Sequence, residues 1–168
     1  MMHPMSSQLC PQCGRPLDAH DRHVRFRLPD PVASTAEKDA AAETWMSHGD
    51  PNSSVMMQVP NVGPFVRCLL PVHLTGGFTV TFGVWLAVHP DDLQRAARTW
   101  WEPDYSELVL DGYLANALPV FDLLGAPAHA RVLNEEHTPV VTSSSDPSLS
   151  PVLTEQHAHE LLLAALPG

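Results

Sequence analysis

The chain has 168 residues, the length of one ordinary domain, and carries 9 Lys and Arg against 19 Asp and Glu, a formal charge of −10. Such an acidic balance speaks against binding to phosphate backbones or anionic lipid, so nucleic acid is not an expected partner. The first residues lack a basic stretch followed by an apolar run, and no window approaches the roughly 18 to 20 apolar residues that span a bilayer, so a cytoplasmic protein with no membrane segment is expected.

The three cysteines are an odd number, and in a reducing compartment they are expected as thiols or metal ligands rather than as a disulfide framework. Cys10 and Cys13, in CPQCG, have knuckle spacing. Two intervening residues let both thiolates face one ion, and Gly14 lets the backbone turn. Residues 23–28 then alternate apolar and polar side chains as a half-buried strand does, until Pro29 and Pro31. The run STAEKDAAAETWM, with Ser34 or Thr35 as N-cap and Glu37 placed for a capping box, reads as a short surface helix, and SHGDPNSS as a loop.

The strongest strand signals lie at the centre, in VMMQV, PFVRCLLPVHL and FTVTFGVWLAV. The break at Gly76-Gly77 between the two long runs predicts an antiparallel hairpin. Alternation puts Phe78, Val80, Phe82, Val84, Leu86 and Val88 on one face of the last run, with Thr79, Thr81, Gly83, Trp85 and Ala87 on the other. Pro90-Asp91-Asp92 opens a helix whose stripe is Leu93, Ala96, Ala97 and Trp100, with Trp100 and Trp101 closing it on the sheet. LVLDGYLANALP follows as strand and turn, VFDLLGAP as a turn-containing segment, and HARVLNE and TPVVT as two late strands. Ser150 caps a last helix starting at Pro151, with Leu153, His157, Leu161 and Ala164 along one face.

These elements predict an α+β fold: a central, mainly antiparallel sheet with a few flanking helices and an N-terminal zinc-knuckle-like arm. Within one domain, residues 8–23 form the arm, 24–142 the core, 143–150 a linker and 151–166 the C-terminal helix.

Read together, the CxxCG start, the FVR-x-x-L-P-V run, the block FGVWLAVHPDDLQRAARTWWEPDYSE and the segment DGYLANALPVFD resemble the bacterial family known as domain of unknown function 2199. The resemblance spans nearly the whole chain and implies its boundaries, with no activity attached. The chain departs from the family pattern at Arg67-Cys68, where Arg-Gly is usual, and at Phe82-Gly83, where Trp-Gly is usual. In SDPSLS only Asp146 and Pro147 of the family's Asp-His-Pro-Leu remain, so no role for that histidine carries over.

Several groups are candidates for chemistry. A zinc held by Cys10 and Cys13 needs two more ligands, from His20, His23, Cys68 or a more distant histidine. His20 and His23 close the smallest loop, Cys-x2-Cys-x6-His-x2-His. No HExxH or HxE…PCxxC pattern supplies an open catalytic site, so the zinc expected is structural, with a metal-free reduced pair as the alternative. Arg67 lies in a central strand, with His73 on its face. It needs a carboxylate such as Asp111, Asp122 or Glu107, or else an anionic ligand, because a lone buried charge is costly. Cys68, flanked by apolar residues, reads as a buried small side chain rather than a nucleophile. Two weaker groups are His157 with Glu160, three apart on the last helix, and Glu135, Glu136 and His137 between the late strands.

Two functions follow from these groups. In one, the chain is a zinc-stabilised, non-catalytic binding or accessory module that receives a protein partner of basic character. In the other, it is a small-molecule enzyme whose sheet-side pocket holds a small anionic ligand on Arg67 and uses His73 or His137 as acid/base.

Overall fold

The computed structural model describes residues 22–33, 45–48, 54–60 and 62–166. The elements, in chain order, are β1 (Arg22–Arg25), α1 (Asp30–Ala33), β2 (Trp45–Met46), β3 (Met56–Val59), β4 (Gly63–Leu74) and β5 (Phe78–Ala87). Then come α2 (Pro90–Thr99), a 3₁₀ turn (Pro103–Glu107), β6 (Val109–Leu114), β7 (Pro127–Arg131), β8 (Val140–Ser143), α3 (Leu149–Thr154) and α4 (His159–Ala165). The α+β class expected from the sequence is what the chain adopts.

Two long strands organise everything else. β4 and β5 form the expected hairpin, in register from Phe65 opposite Ala87 to Leu74 opposite Phe78. Gly76 and Gly77 turn it with φ of 86° and 84°, a region that side-chain-bearing residues rarely occupy. Each of the two is longer than any strand on its other side, so its two halves pair differently there. β5 takes β1 in parallel at Arg22–Arg25 and β6 antiparallel at its far end. β4 takes β3 antiparallel near its start and β8 in parallel at Leu69. The order β4-β5-β6-β7-β8 thereby closes on itself as a five-stranded barrel, with β1 and the β3-β2 pair attached outside.

Period-two alternation then gives two cores. The inward face of the hairpin, including Val66, Cys68, Leu70, Val72, Val80, Phe82, Val84 and Leu86, fills the barrel with Leu110, Leu114, Ala130 and Val141. The outward face carries a second cluster in which Phe65 and Trp85 pack with Val32, Met57, Val59 and Ala115. At roughly 1.5–3 kcal/mol per fully buried large apolar side chain, the interior cluster supplies most of the driving force. Gly112 is required where β6 crosses β5, since a Cβ there would meet the Ala87 carbonyl oxygen at 2.3 Å.

The helices depart from expectation in three places. Residues 34–44 of the anticipated surface helix lie outside the described residues, but Trp45 and Met46 at its end are strand β2, paired with Gln58 and Met57. In α2 only Leu93 and Ala96 are buried. Trp100 is half-buried against Tyr105 at 5.0 Å, while Ala97 is exposed and Trp101 is 74% exposed. The single C-terminal helix over 151–166 is two short helices. Backbone pairing decides this: His157 N–H donates to the His73 carbonyl at 2.9 Å and Thr75 N–H to the His157 carbonyl at 2.8 Å, so the hairpin tip takes residue 157 as a strand partner. The 143–150 stretch is ordered by Asp146, whose Oδ1 accepts from the backbone of Ser148 at 2.7 Å and Leu149 at 3.1 Å and so starts α3 ahead of Ser150.

Asn116 ties these layers together. Its Oδ1 accepts the Trp85 backbone N–H at 2.8 Å, and its Nδ2 donates to the Leu28 carbonyl and to Asp30 Oδ1, both at 3.0 Å. Asp30 Oδ2 accepts from Ala117 N–H at 2.7 Å. Truncating the amide orphans the Trp85 donor and the Leu28 acceptor, so Asn116→Ala should lose about 2–4 kcal/mol of unfolding free energy. Urea denaturation measures this, and a loss of only a few tenths would contradict the clamp.

Candidate functional site

Arg67 stands directly opposite Trp85 in the hairpin and is fully buried. Its guanidinium carbon sits 4.2 Å from the centre of the Trp85 ring, close enough for a desolvated cation–π contact. Nε donates to the Ser54 carbonyl at 2.9 Å, and one terminal nitrogen donates to the carbonyls of Phe26 at 2.8 Å and Gly83 at 3.2 Å. Burial, with repulsion from Arg25 second, lowers its pKa to about 9, so it stays cationic at neutral pH. The three carboxylates expected as partners are all exposed. Asp111 bonds His129, and Asp122 accepts the Leu124 N–H. Backbone carbonyls surround the cation where the sequence pointed to a carboxylate.

The other anticipated acid/base residues do not gather around it. His73 is exposed near the tip of β4, and its carbonyl holds His157. His137 is exposed in the β7–β8 loop, where its carbonyl accepts the Tyr105 hydroxyl. Glu135 and Glu136 are exposed in the same loop. His157 lies between the two last helices, so the three-apart pairing with Glu160 on one helix does not form. Its ring instead packs on Phe121 at 5.0 Å, with Nε2 3.2 Å from the Pro151 carbonyl. His159 is buried, with Nδ1 2.8 Å from Thr75 Oγ1 and 3.0 Å from the Thr75 carbonyl.

Of the zinc candidates, Cys10, Cys13 and His20 lie outside the described residues. His23 is described: it is exposed on β1 opposite Thr81. Cys68, another of the possible ligands, is a free thiol fully buried in the barrel interior. Among the described residues no three His, Cys, Asp or Glu side chains group as a metal site.

A polar constellation that sequence reading missed lies on the outer face of β6, β7 and β8. Alternation turns Asp111 and Tyr113 of β6 outward, and antiparallel pairing sets His129 opposite Asp111. His129 Nδ1 and Asp111 Oδ1 are 2.7 Å apart. The β7–β8 register slips beside His129: Ala130 faces Val141 and His129 faces Ser143, leaving Thr142 without an opposite residue. This bulge moves Ser143, which would otherwise turn inward, onto the outer face beside His129. Asp111, Tyr113, His129 and Ser143–Ser145 line an open concavity of about 590 Å³. The one available sequence signal was the outward Asp-x-Tyr of β6. Its partner His129 depended on long-range register.

The class defined by this architecture is a small α+β domain built on a closed five-stranded barrel. Within it, the chain belongs to the bacterial family described as "Uncharacterized protein conserved in bacteria (DUF2199)", which matches residues 9–158. No curated protein and no solved structure matches it. No helix of the described residues is long and apolar enough to cross a membrane.

Burial drives the Cys68 thiol well above its ordinary value of 9.0. The folded chain therefore keeps a proton that the unfolded chain loses, so this residue's contribution is whole below pH 9 and fades as pH rises beyond it. At pH 8 iodoacetamide should leave Cys68 unmodified in the folded protein and alkylate it in denaturant, read by mass spectrometry of its peptide. Alkylation of the folded protein at a free-thiol rate would contradict the burial.

Proposed function

We propose that the protein is a zinc-stabilised, non-catalytic binding module whose receiving surface is the outer face of β6, β7 and β8, and whose partner is a protein of basic character. One observation carries the choice over a small-molecule enzyme. The arginine that an enzyme would use to hold an anion is enclosed by Trp85 and three carbonyls, whereas the polar pair facing a concavity, Asp111 and His129, lies on an open surface. The Asp111 side chain is 80% exposed, so water screens the pair and competes for its hydrogen bonds. An acidic chain draws basic partners by long-range attraction, faster at low salt.

In this reading Cys10 and Cys13, as thiolates, and His20 and His23, as neutral imidazoles, hold the metal. Bound zinc would supply folding energy to the arm and no reaction step.

Elemental analysis of the purified full chain should find about one zinc per chain, lost with Cys10→Ser together with several degrees of melting temperature. Metal-free wild-type protein would contradict the zinc. Chromogenic esters, phosphoesters and glycosides should show no turnover that His129→Ala abolishes. Turnover that the substitution abolishes would make the face an active site and overturn the module.

A further inference from the structure

The concavity on β6, β7 and β8 has a chemistry that selects its occupant. We infer that it is the docking site for a basic segment of the partner protein, with a lysine ammonium seated between Asp111 and the ring of Tyr113. The inference rests on the binding-module reading and names the anchor within it.

Charge comes first. Asp111 and His129 are the titratable acid and imidazole of the lining, Tyr113 adds a phenol, and among the described residues no Lys or Arg lines it. The nearest basic side chain along β7, Arg131, is two residues beyond His129 on the same face, toward Val109, and lies outside the lining. A cation therefore meets a carboxylate within the concavity, and the chain's charge of −10 favours its approach. An anionic group would meet Asp111 with no cationic side chain to receive it.

Geometry then separates lysine from arginine. Asp111 Oδ1 is engaged by His129 Nδ1 at 2.7 Å, which leaves Oδ2 as the oxygen without a partner among the described residues. A guanidinium fork is matched to two carboxylate oxygens, whereas an ammonium is a point charge that one oxygen can hold. Its remaining hydrogens need acceptors, and Ser143 and Ser145 belong to the same lining. Tyr113, 59% exposed and two residues from Asp111 on the same face, lies about 7 Å along the strand and offers its ring to the ammonium and its stem. The bulge that sets Ser143 opposite His129 is the backbone device that completes this lining.

The test uses the full chain, labelled with ¹⁵N, and three blocked hexapeptides that differ at one central position: lysine, acetyl-lysine and arginine. The lysine peptide should produce saturable amide shifts confined to residues 111–113, 128–129 and 143–145. Acetylation should abolish them, and arginine should bind more weakly than lysine. Asp111→Asn should weaken lysine binding about tenfold or more, and Tyr113→Ala about two- to fivefold, with the unperturbed remainder of the spectrum showing that both variants fold. Shifts that survive acetylation, cluster elsewhere, ignore Asp111→Asn or do not arise would overturn the lysine anchor. The binding-module reading fails by a different result, turnover that depends on His129.

Discussion

A charged side chain in the middle of a sheet sets the terms for this fold. Arg67 cannot be left unpaired inside the protein, because an isolated buried charge costs several kcal/mol. The chain meets that demand with backbone carbonyls from three separate segments: Phe26 beside β1, Ser54 ahead of β3, and Gly83 within β5. Each of those oxygens must arrive at one point, so the guanidinium fixes where β1 and the β2–β3 unit attach to the barrel. Gly83 serves twice, since its carbonyl also accepts the Phe26 N–H at 3.0 Å. Trp85 covers the cation, and its own backbone is held by Asn116, which in turn grips Leu28 and Asp30. Arg67, Trp85 and Asn116 thus form one continuous connection from the hairpin to both outer layers.

Those three residues also sit in the segments that carry the family resemblance: the FVR run, the GVW block and the GYLAN segment. Their work here is architectural. An arginine in a central strand invites a functional reading, and the same physics that makes it costly explains why it is enclosed rather than offered to a ligand. The candidate binding site shares only the DGYLAN segment with that seam: Asn116 faces Trp85, while Asp111 and Tyr113 of the same segment turn to the outer face of β6, where His129 and Ser143 come from β7 and β8.

Much of the strand architecture was legible because period-two alternation is local. Val80, Phe82, Val84 and Leu86 do share the barrel face, and Gly76-Gly77 does turn the hairpin. Pairings between distant segments were not legible. Parallel docking of β1 on β5, closure through Leu69 and Val140, and the capture of His157 by the hairpin tip all depend on contacts far apart in sequence. That last contact broke a helix which local periodicity favoured. The candidate site was hidden for the same reason: Asp111 and His129 are 18 positions apart, and Ser143 joins them only through a one-residue slip in register.

The claim that Arg67 is a sealed structural cation can be read directly from its own Nε proton by ¹⁵N NMR. Held against the Ser54 carbonyl, that proton should exchange with solvent only when the whole domain unfolds, and its resonance should not move when phosphate or a carboxylate is added. Exchange at the rate of a surface arginine, or a saturable shift on adding either anion, would show the guanidinium to be open to ligands and would contradict the account.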